Sequence, residues 1–242
     1  MGKAQTTVAI HQPNFLPHPA FFAKMAACDV FILLDTAQFP TENWVNRNQL
    51  LNGNGKSWVT VPVITSHRGI QRIGDVEIRQ STPWRRKLLR RIELEYRDAP
   101  WKEQMAPALA AILERQQRLL VDLTTELLAW VTDLLGITTT IVRAGALDAE
   151  GKTDAALDDA TGRLIALTKA VGGTSYLSGP SGKKYLRESL FPRYDLELRY
   201  ASYEVEPYDQ RRTPFVPGLS MLDMLLWLGP EESRKRVARP SH

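Results

Sequence analysis

The sequence predicts an α/β fold: a Rossmann-like, mostly parallel sheet with flanking helices and a helical middle section. Three observations predict it. Two short apolar runs, Thr7-Val8-Ala9-Ile10 and Val30-Phe31-Ile32-Leu33-Leu34-Asp35, read as buried strands on either side of a helical stretch, Ala20 to Ala27. The middle, about 83–136, repeats apolar residues at three- and four-residue steps. Strand-like segments then return at Thr138–Val142, Ser175–Ser178 and Leu196–Tyr200.

Each element has a local reason. Pro13 and Pro17 forbid the first strand from continuing in a sheet interior, so it ends ahead of the His11-Gln12-Pro13 stretch at its lip. The turn residues Asn52-Gly53-Asn54-Gly55 precede a strand at Lys56–Val63, and Ile73–Arg79 reads as a further short strand. Helices are expected over Trp84–Arg97, Trp101–Arg118 and Leu119–Leu135. In the last, Leu120, Leu123, Leu127, Trp130, Val131 and Leu134 share one face and Gly136 supplies the C-cap. Thr153 is the expected cap of a helix running to Val171. Ser220 with Asp223 resembles a capping box ahead of Met221–Leu226. No repeat or long linker divides the chain, so one α/β domain over 1–242 is expected.

Bulk properties narrow the function classes. Hydrophobic content of 43% and charged content of 24% are those of an ordinary globular protein, and no apolar run is long enough to span a bilayer. Met1–Gln5 lacks the apolar core of a signal peptide, so a cytoplasmic location is expected. A lone cysteine, Cys28, gives neither a disulfide framework nor a thiolate-rich zinc site, and its apolar surroundings suit a packed thiol. His18 and His67 lack ligand spacing, so no metal is expected. The net charge of +4 is concentrated at Arg85, Arg86, Lys87, Arg90, Arg91 and Arg97 and at Arg234-Lys235-Arg236. The first cluster is either a solvated helix face or a dock for an acidic partner, such as an acyl carrier protein, tRNA or a membrane surface. An acyl carrier protein suits it better than tRNA, because no aromatics for base stacking are interleaved.

Four polar clusters fall at strand ends and turns, where open α/β sheets bind ligands. They are His11-Gln12 with Asn14; Asp35 with Gln38, Asn43, Trp44, Asn46 and Arg47; Tyr176 with Ser178, Gly179, Ser181, Gly182 and Tyr185; and Tyr208, Gln210 and Asp223. His11 is the candidate for proton transfer, or else holds its turn through a ring-to-carbonyl hydrogen bond. Asp35 could orient that imidazole, bind a substrate amine, or cap the following turn. Arg47 with Asn46 could clamp a carboxylate or phosphate. The Ser178–Gly182 turn could present backbone N–H groups to an anion, although it is not a nucleotide P-loop. No G-x-G-x-x-G, H-E-x-x-H or G-x-S-x-G motif is present.

Taken in order, His11-Gln12-Pro13-Asn14-Phe15-Leu16-Pro17, Cys28 through Phe39, Trp44-Val45-Asn46-Arg47-Asn48, Trp58–Val63, Tyr176-Leu177-Ser178-Gly179 with Gly182 and Tyr185, then Tyr208, Gln210, Phe215, Leu219-Ser220 and Asp223 resemble the WbqC-like protein family across nearly the whole chain. Phe15 stands where a tyrosine is usual, and His18 where a tryptophan is common. The resemblance implies a transferase role in surface-polysaccharide or secondary-metabolite assembly, forming an amide by moving an acyl or aminoacyl group onto an amine.

The expected reaction is therefore acyl or aminoacyl transfer from an activated thioester or ester to an amine or amino sugar, without metal or cofactor. His11 would deprotonate the amine with Asp35 orienting it, while Gln12, Asn14 and Asn46 position carbonyls and Arg47 or the Ser178–Gly182 turn holds an anion. One alternative is ATP-dependent carboxylate activation, by architectural analogy with nucleotidyl-transferring Rossmann-like enzymes, whose second histidine is missing here. Another is a non-catalytic ligand-binding protein. Oligomeric state is left open by the sequence.

Overall fold

A computed structural model describes residues 5–40, 44–53, 55–153 and 159–238. Its centre is a five-stranded parallel sheet of β1 (Thr7–His11), β2 (Val30–Leu33), β5 (Thr140–Arg143), β6 (Ser175–Ser178) and β7 (Glu197–Tyr200), in the order β5-β2-β1-β6-β7. Between β1 and β2 runs α1 (Pro19–Ala26), so the chain leaves β1 to one side and later returns to its other side with β6. The β1/β6 boundary is the topological switch point, where diverging loops open a crevice beyond the C-terminal strand ends.

The central strands β1, β2 and β6 are buried on both faces, and period-two alternation sorts their side chains between two cores. Ala9, Phe31, Leu33 and Leu177 face the larger one. Val8, Ile10, Ile32 and Tyr176 face the smaller, which is closed by α5 (Ala144–Ala149) and α6 (Ala160–Ala170). The larger core is built by the helical middle section, α2 (Trp84–Glu95), α3 (Lys102–Glu114) and α4 (Leu120–Leu134), with α7 (Met221–Val237). Gly136, at φ 60°, ends α4 in the left-handed conformation the sequence predicted.

Elsewhere the structure corrects the expected elements. The strand at Lys56–Val63 is one arm of an antiparallel hairpin, β3 (Arg47–Asn52) and β4 (Gly55–Thr60). Its first arm, Arg-Asn-Gln-Leu-Leu-Asn, carries no β-branched residue and gave no strand signal. Ile73–Arg79 forms a 3₁₀ turn at Ile73–Asp75 and two isolated bridges, Val63 to Ile78 and Glu77 to Leu119, rather than a strand. Asp159 caps α6 by accepting from Gly162 N at 2.7 Å, so Thr153 is not the cap; its hydroxyl donates to Asp148. Asn54 of the turn, residues 154–158 and Asn43 lie outside the described residues.

Helix α7 breaks at Gly229, whose φ of 74° and ψ of 175° let Pro230 start a second segment. A Cβ at Gly229 would run into the Trp101 indole. Gly229→Ala should therefore lower stability by roughly 2–4 kcal/mol, from backbone strain plus displacement of the partly buried Trp101, as read by urea denaturation. A change under about 0.5 kcal/mol would contradict this packing.

Candidate functional site

At the C-terminal ends of β1, β6 and β7 lies a cleft of about 1050 Å³. Its walls are the turn after β1 (His11, Asn14, Pro17, His18), one face of α1 (Phe21, Lys24), the hairpin (Gln49, Lys56, Trp58) with Trp44, the turn after β6 (Gly179, Pro180, Ser181), and the segment Arg199–Tyr203. It thus occupies the switch point that the strand order defines.

His11 ends β1 on the same strand face as Ala9, which turns it toward α1. Its Nδ1 lies 3.0 Å from Gln12 O, and its ring meets Phe21 edge-on at 4.9 Å. With Nδ1–H donating to that carbonyl, Nε2 is left as an acceptor. Burial first, then the Lys24 charge, lower the imidazole pKa to about 3, so it is neutral across the physiological range. His11 is therefore a hydrogen-bonding group and a weak base.

Lys24 is the charged group the sequence reading passed over. It sits in α1 within Phe21-Phe22-Ala23-Lys24-Met25-Ala26, 7% exposed, and Nζ donates to Ile10 O at 2.9 Å. The ammonium also stands 5.7 Å above the Phe31 ring. Burial brings its pKa down to about 8. The available signal was a lone lysine on an apolar helix directly after the His-Gln-Pro-Asn turn. His18, the α1 N-cap, accepts from Ala20 N at 3.4 Å, and burial together with Lys56 lowers its pKa.

The expected His11–Asp35 pair does not form. Asp35, 2% exposed, accepts from Arg143 Nε at 2.7 Å and from Gly145 N at 2.8 Å, on the far side of β2 from β1. Its carboxylate ties β2 to the start of α5 and does not line the cleft.

The other predicted residues divide. Asn14, Trp44, Gly179 and Ser181 line the cleft with His11. Gln12 contributes the carbonyl that orients His11. Gln38 is exposed and bridges to Arg72 away from the cleft. Asn46 donates to Val61 O at 3.0 Å, which holds the hairpin base. Arg47 stacks its guanidinium 4.5 Å from the Trp58 ring, bracing a cleft wall rather than entering it.

Tyr176 faces the smaller core and stacks on Phe191 at 5.5 Å, because strand parity turns it away from the face that Leu177 presents to the cleft. Ser178 is buried and donates to Gly179 O at 3.1 Å, and a side chain at Gly182 would collide with the Ser178 hydroxyl. That pair shapes the turn beneath Gly179 and Ser181. Tyr185 is exposed outside the cleft. Tyr208, Gln210 and Asp223 are buried together: Tyr208 Oη and Gln210 Nε2 donate to Asp223 Oδ2 at 2.5 and 3.0 Å, and Tyr96 Oη donates to Oδ1 at 2.8 Å. They form a core network. The capping box is half present, since Ser220 Oγ accepts from Leu222 N while the Asp223 carboxylate points into that network.

Among the described residues no group of three or more His, Cys, Asp or Glu is placed to hold a metal ion, and no helix is long and apolar enough to cross a membrane. Cys28 is buried, its Sγ donates to Met25 O, and burial pushes the thiol up to about 12. It is a packed thiol.

Residues 12–235 match the model of the WbqC-like protein family. An uncharacterised protein of Mycobacterium tuberculosis is 33% identical over 227 residues, covering 93% of this chain and 94% of the relative. No solved structure matches the chain.

Proposed function

The chain belongs to the WbqC-like protein family, and from that premise we propose that its cleft forms an amide, moving an acyl or aminoacyl group from an activated thioester or ester onto an amine. The observation that carries this reading is Lys24, a buried amine beside His11 whose pKa of about 8 matches both an amine nucleophile and a departing thiol. Among the described lining residues there is no carboxylate to hold an acceptor as its ammonium ion. The nearby lysine charge favours the neutral, nucleophilic amine.

In this mechanism the acceptor nitrogen donates a hydrogen bond to His11 Nε2 and attacks the thioester carbonyl. The new C–N bond forms, the C–S bond breaks, and Lys24 passes a proton to the departing thiolate before recovering one from the amine nitrogen. Asn14 and Ser181, which line the cleft, would fix the donor and acceptor carbonyls. An acidic carrier protein would dock outside the cleft. Arg86, Lys87, Arg90 and Arg91 line a groove of about 470 Å³ on α2, and Arg91 hydrogen-bonds Ser57 O and Trp58 O of the hairpin that forms a cleft wall. The product would serve polysaccharide or secondary-metabolite assembly.

Product mass spectrometry tests the reaction. The protein is incubated without ATP with acyl and aminoacyl thioesters of N-acetylcysteamine, coenzyme A and carrier proteins, together with a pool of amines and amino sugars. An amide whose mass equals acyl group plus amine is the expected result. No product above the uncatalysed rate across the whole set overturns the reading.

A further inference from the structure

The cleft holds three cations, Lys24, Lys56 and Arg199, and no carboxylate among its described lining residues. Among the described residues none of the three is paired with a carboxylate. Lys24 is nearly fully buried in that state, and an uncompensated buried charge is costly unless a ligand supplies the counter-charge. Beside these cations stand two tryptophans that the fold leaves open, Trp44 at 41% and Trp58 at 39% exposure, with ring centroids 4.8 Å apart. Arg47 holds the Trp58 ring from within the hairpin, so the aromatic surface is braced before any ligand arrives.

Register fixes the relation between the two features. Lys56 and Trp58 alternate with Ser57 on β4 and therefore project from the same face, with Gln49 of β3 paired opposite Trp58. Two residues along a strand separate an aromatic platform from a cation by roughly 7 Å. A ligand that satisfies both carries a planar ring and, one sugar away, a dianionic group.

We propose that the cleft binds a nucleoside diphosphate moiety, its base on the Trp44–Trp58 pair and its phosphates against Lys56 and Arg199. This inference rests on the acyl-transfer reading only for what the nucleotide is attached to. The same moiety occurs in coenzyme A thioesters, in ATP and in sugar nucleotides. It gives the donor or acceptor a handle independent of the reacting carbonyl, so its binding energy can position the reaction at His11 and Lys24.

Isothermal titration calorimetry of the intact protein with ADP, UDP, coenzyme A, adenosine and inorganic pyrophosphate tests it. At least one of the three nucleotides should bind with a Kd below about 100 μM, with adenosine and pyrophosphate each roughly ten-fold or more weaker. Lys56→Gln should weaken the nucleotide roughly ten-fold but leave adenosine unchanged, and Trp58→Ala should weaken both. Unchanged melting temperatures would show that each variant folds.

The source is separated by three further arms. Turnover of an acyl coenzyme A without ATP assigns the thioester, carboxylate-dependent ATP–pyrophosphate exchange assigns an adenylate, and preference for UDP-linked amino sugars assigns the acceptor. No saturable heat from ADP, UDP or coenzyme A up to about 1 mM overturns the proposal, as does nucleotide binding unaffected by both variants. Amide formation from N-acetylcysteamine or carrier-bound thioesters in that event would leave the acyl-transfer reading standing, so the two failures are distinguishable.

Discussion

Lys24→Met will raise stability at pH 7 and abolish most turnover. Methionine fills the space of the lysine stem, so the change removes a buried charge at nearly constant volume. The folded-state pKa of about 8 lies below lysine's ordinary value of 10.5, so the folded protein binds fewer protons than the unfolded chain between those two values. Stability contributed at this site therefore rises with pH across that window and is fully missing below it. A fall of that size corresponds to roughly 3 kcal/mol of penalty at pH 7. Losing the hydrogen bond to Ile10 O returns about 1 kcal/mol, which leaves a net gain on the order of 2 kcal/mol. Urea denaturation at pH 7 and pH 10 measures both parts: the variant should be more stable at pH 7 and should lose the pH-dependent rise. If Lys24 is the proton carrier, amide formation should fall about 10²- to 10⁴-fold. A variant that is less stable at pH 7 and still turns over would remove Lys24 from the mechanism.

That trade explains why the site was only partly legible in the sequence. The lip of β1 could be read because a buried strand followed by two prolines admits few geometries, and His11 and Asn14 do line the cleft. Residues inside strands were harder. Tyr176 and Leu177 are neighbours in sequence, yet parity sends one into the smaller core and the other to the cleft. Asp35 reads as a strand-end carboxylate like any ligand-binding one, and its partner Arg143 lies 108 residues away on β5. Position along the chain carries no trace of that pairing. Lys56 and Trp58 were visible as part of a strand, but their common role depends on a partner strand, β3, that lacks strand-forming residues. The helices were the most readable part, because three- and four-residue periodicity over α2 to α4 records burial directly.

Asp223 gives the sharpest test of where the site ends, since its sequence context placed it among ligand-binding residues while the structure buries it completely. Each carboxylate oxygen is met by donors that cannot be reversed. Gln210 is locked by Val216, whose N–H donates to Oε1 at 2.9 Å and whose carbonyl accepts from Nε2, so Nε2 must also donate to Asp223 Oδ2. Tyr96 Oη accepts from Leu51 N at 3.0 Å and turns its proton to Oδ1. In Asp223→Asn the new NH₂ must face one of these donors whichever way the amide is set, leaving a buried donor without an acceptor. The expected loss is roughly 2–4 kcal/mol, with Tyr96→Phe and Tyr208→Phe each costing about 1–2 kcal/mol and the pair combining non-additively through their shared partner. Burial also raises the Asp223 pKa, so the stability linked to its protonated form is full below the ordinary carboxylate range and is lost as pH rises through the folded value. Wild type should accordingly lose stability at this site when pH is raised from about 4 to 7, whereas Asp223→Asn, which has no proton to release, should show no such loss. Nucleotide affinity and turnover per folded molecule should be unchanged in Asp223→Asn at a temperature well below its melting point. A variant with wild-type stability but weakened ligand binding would instead return Asp223, with Tyr208 and Gln210, to the cleft.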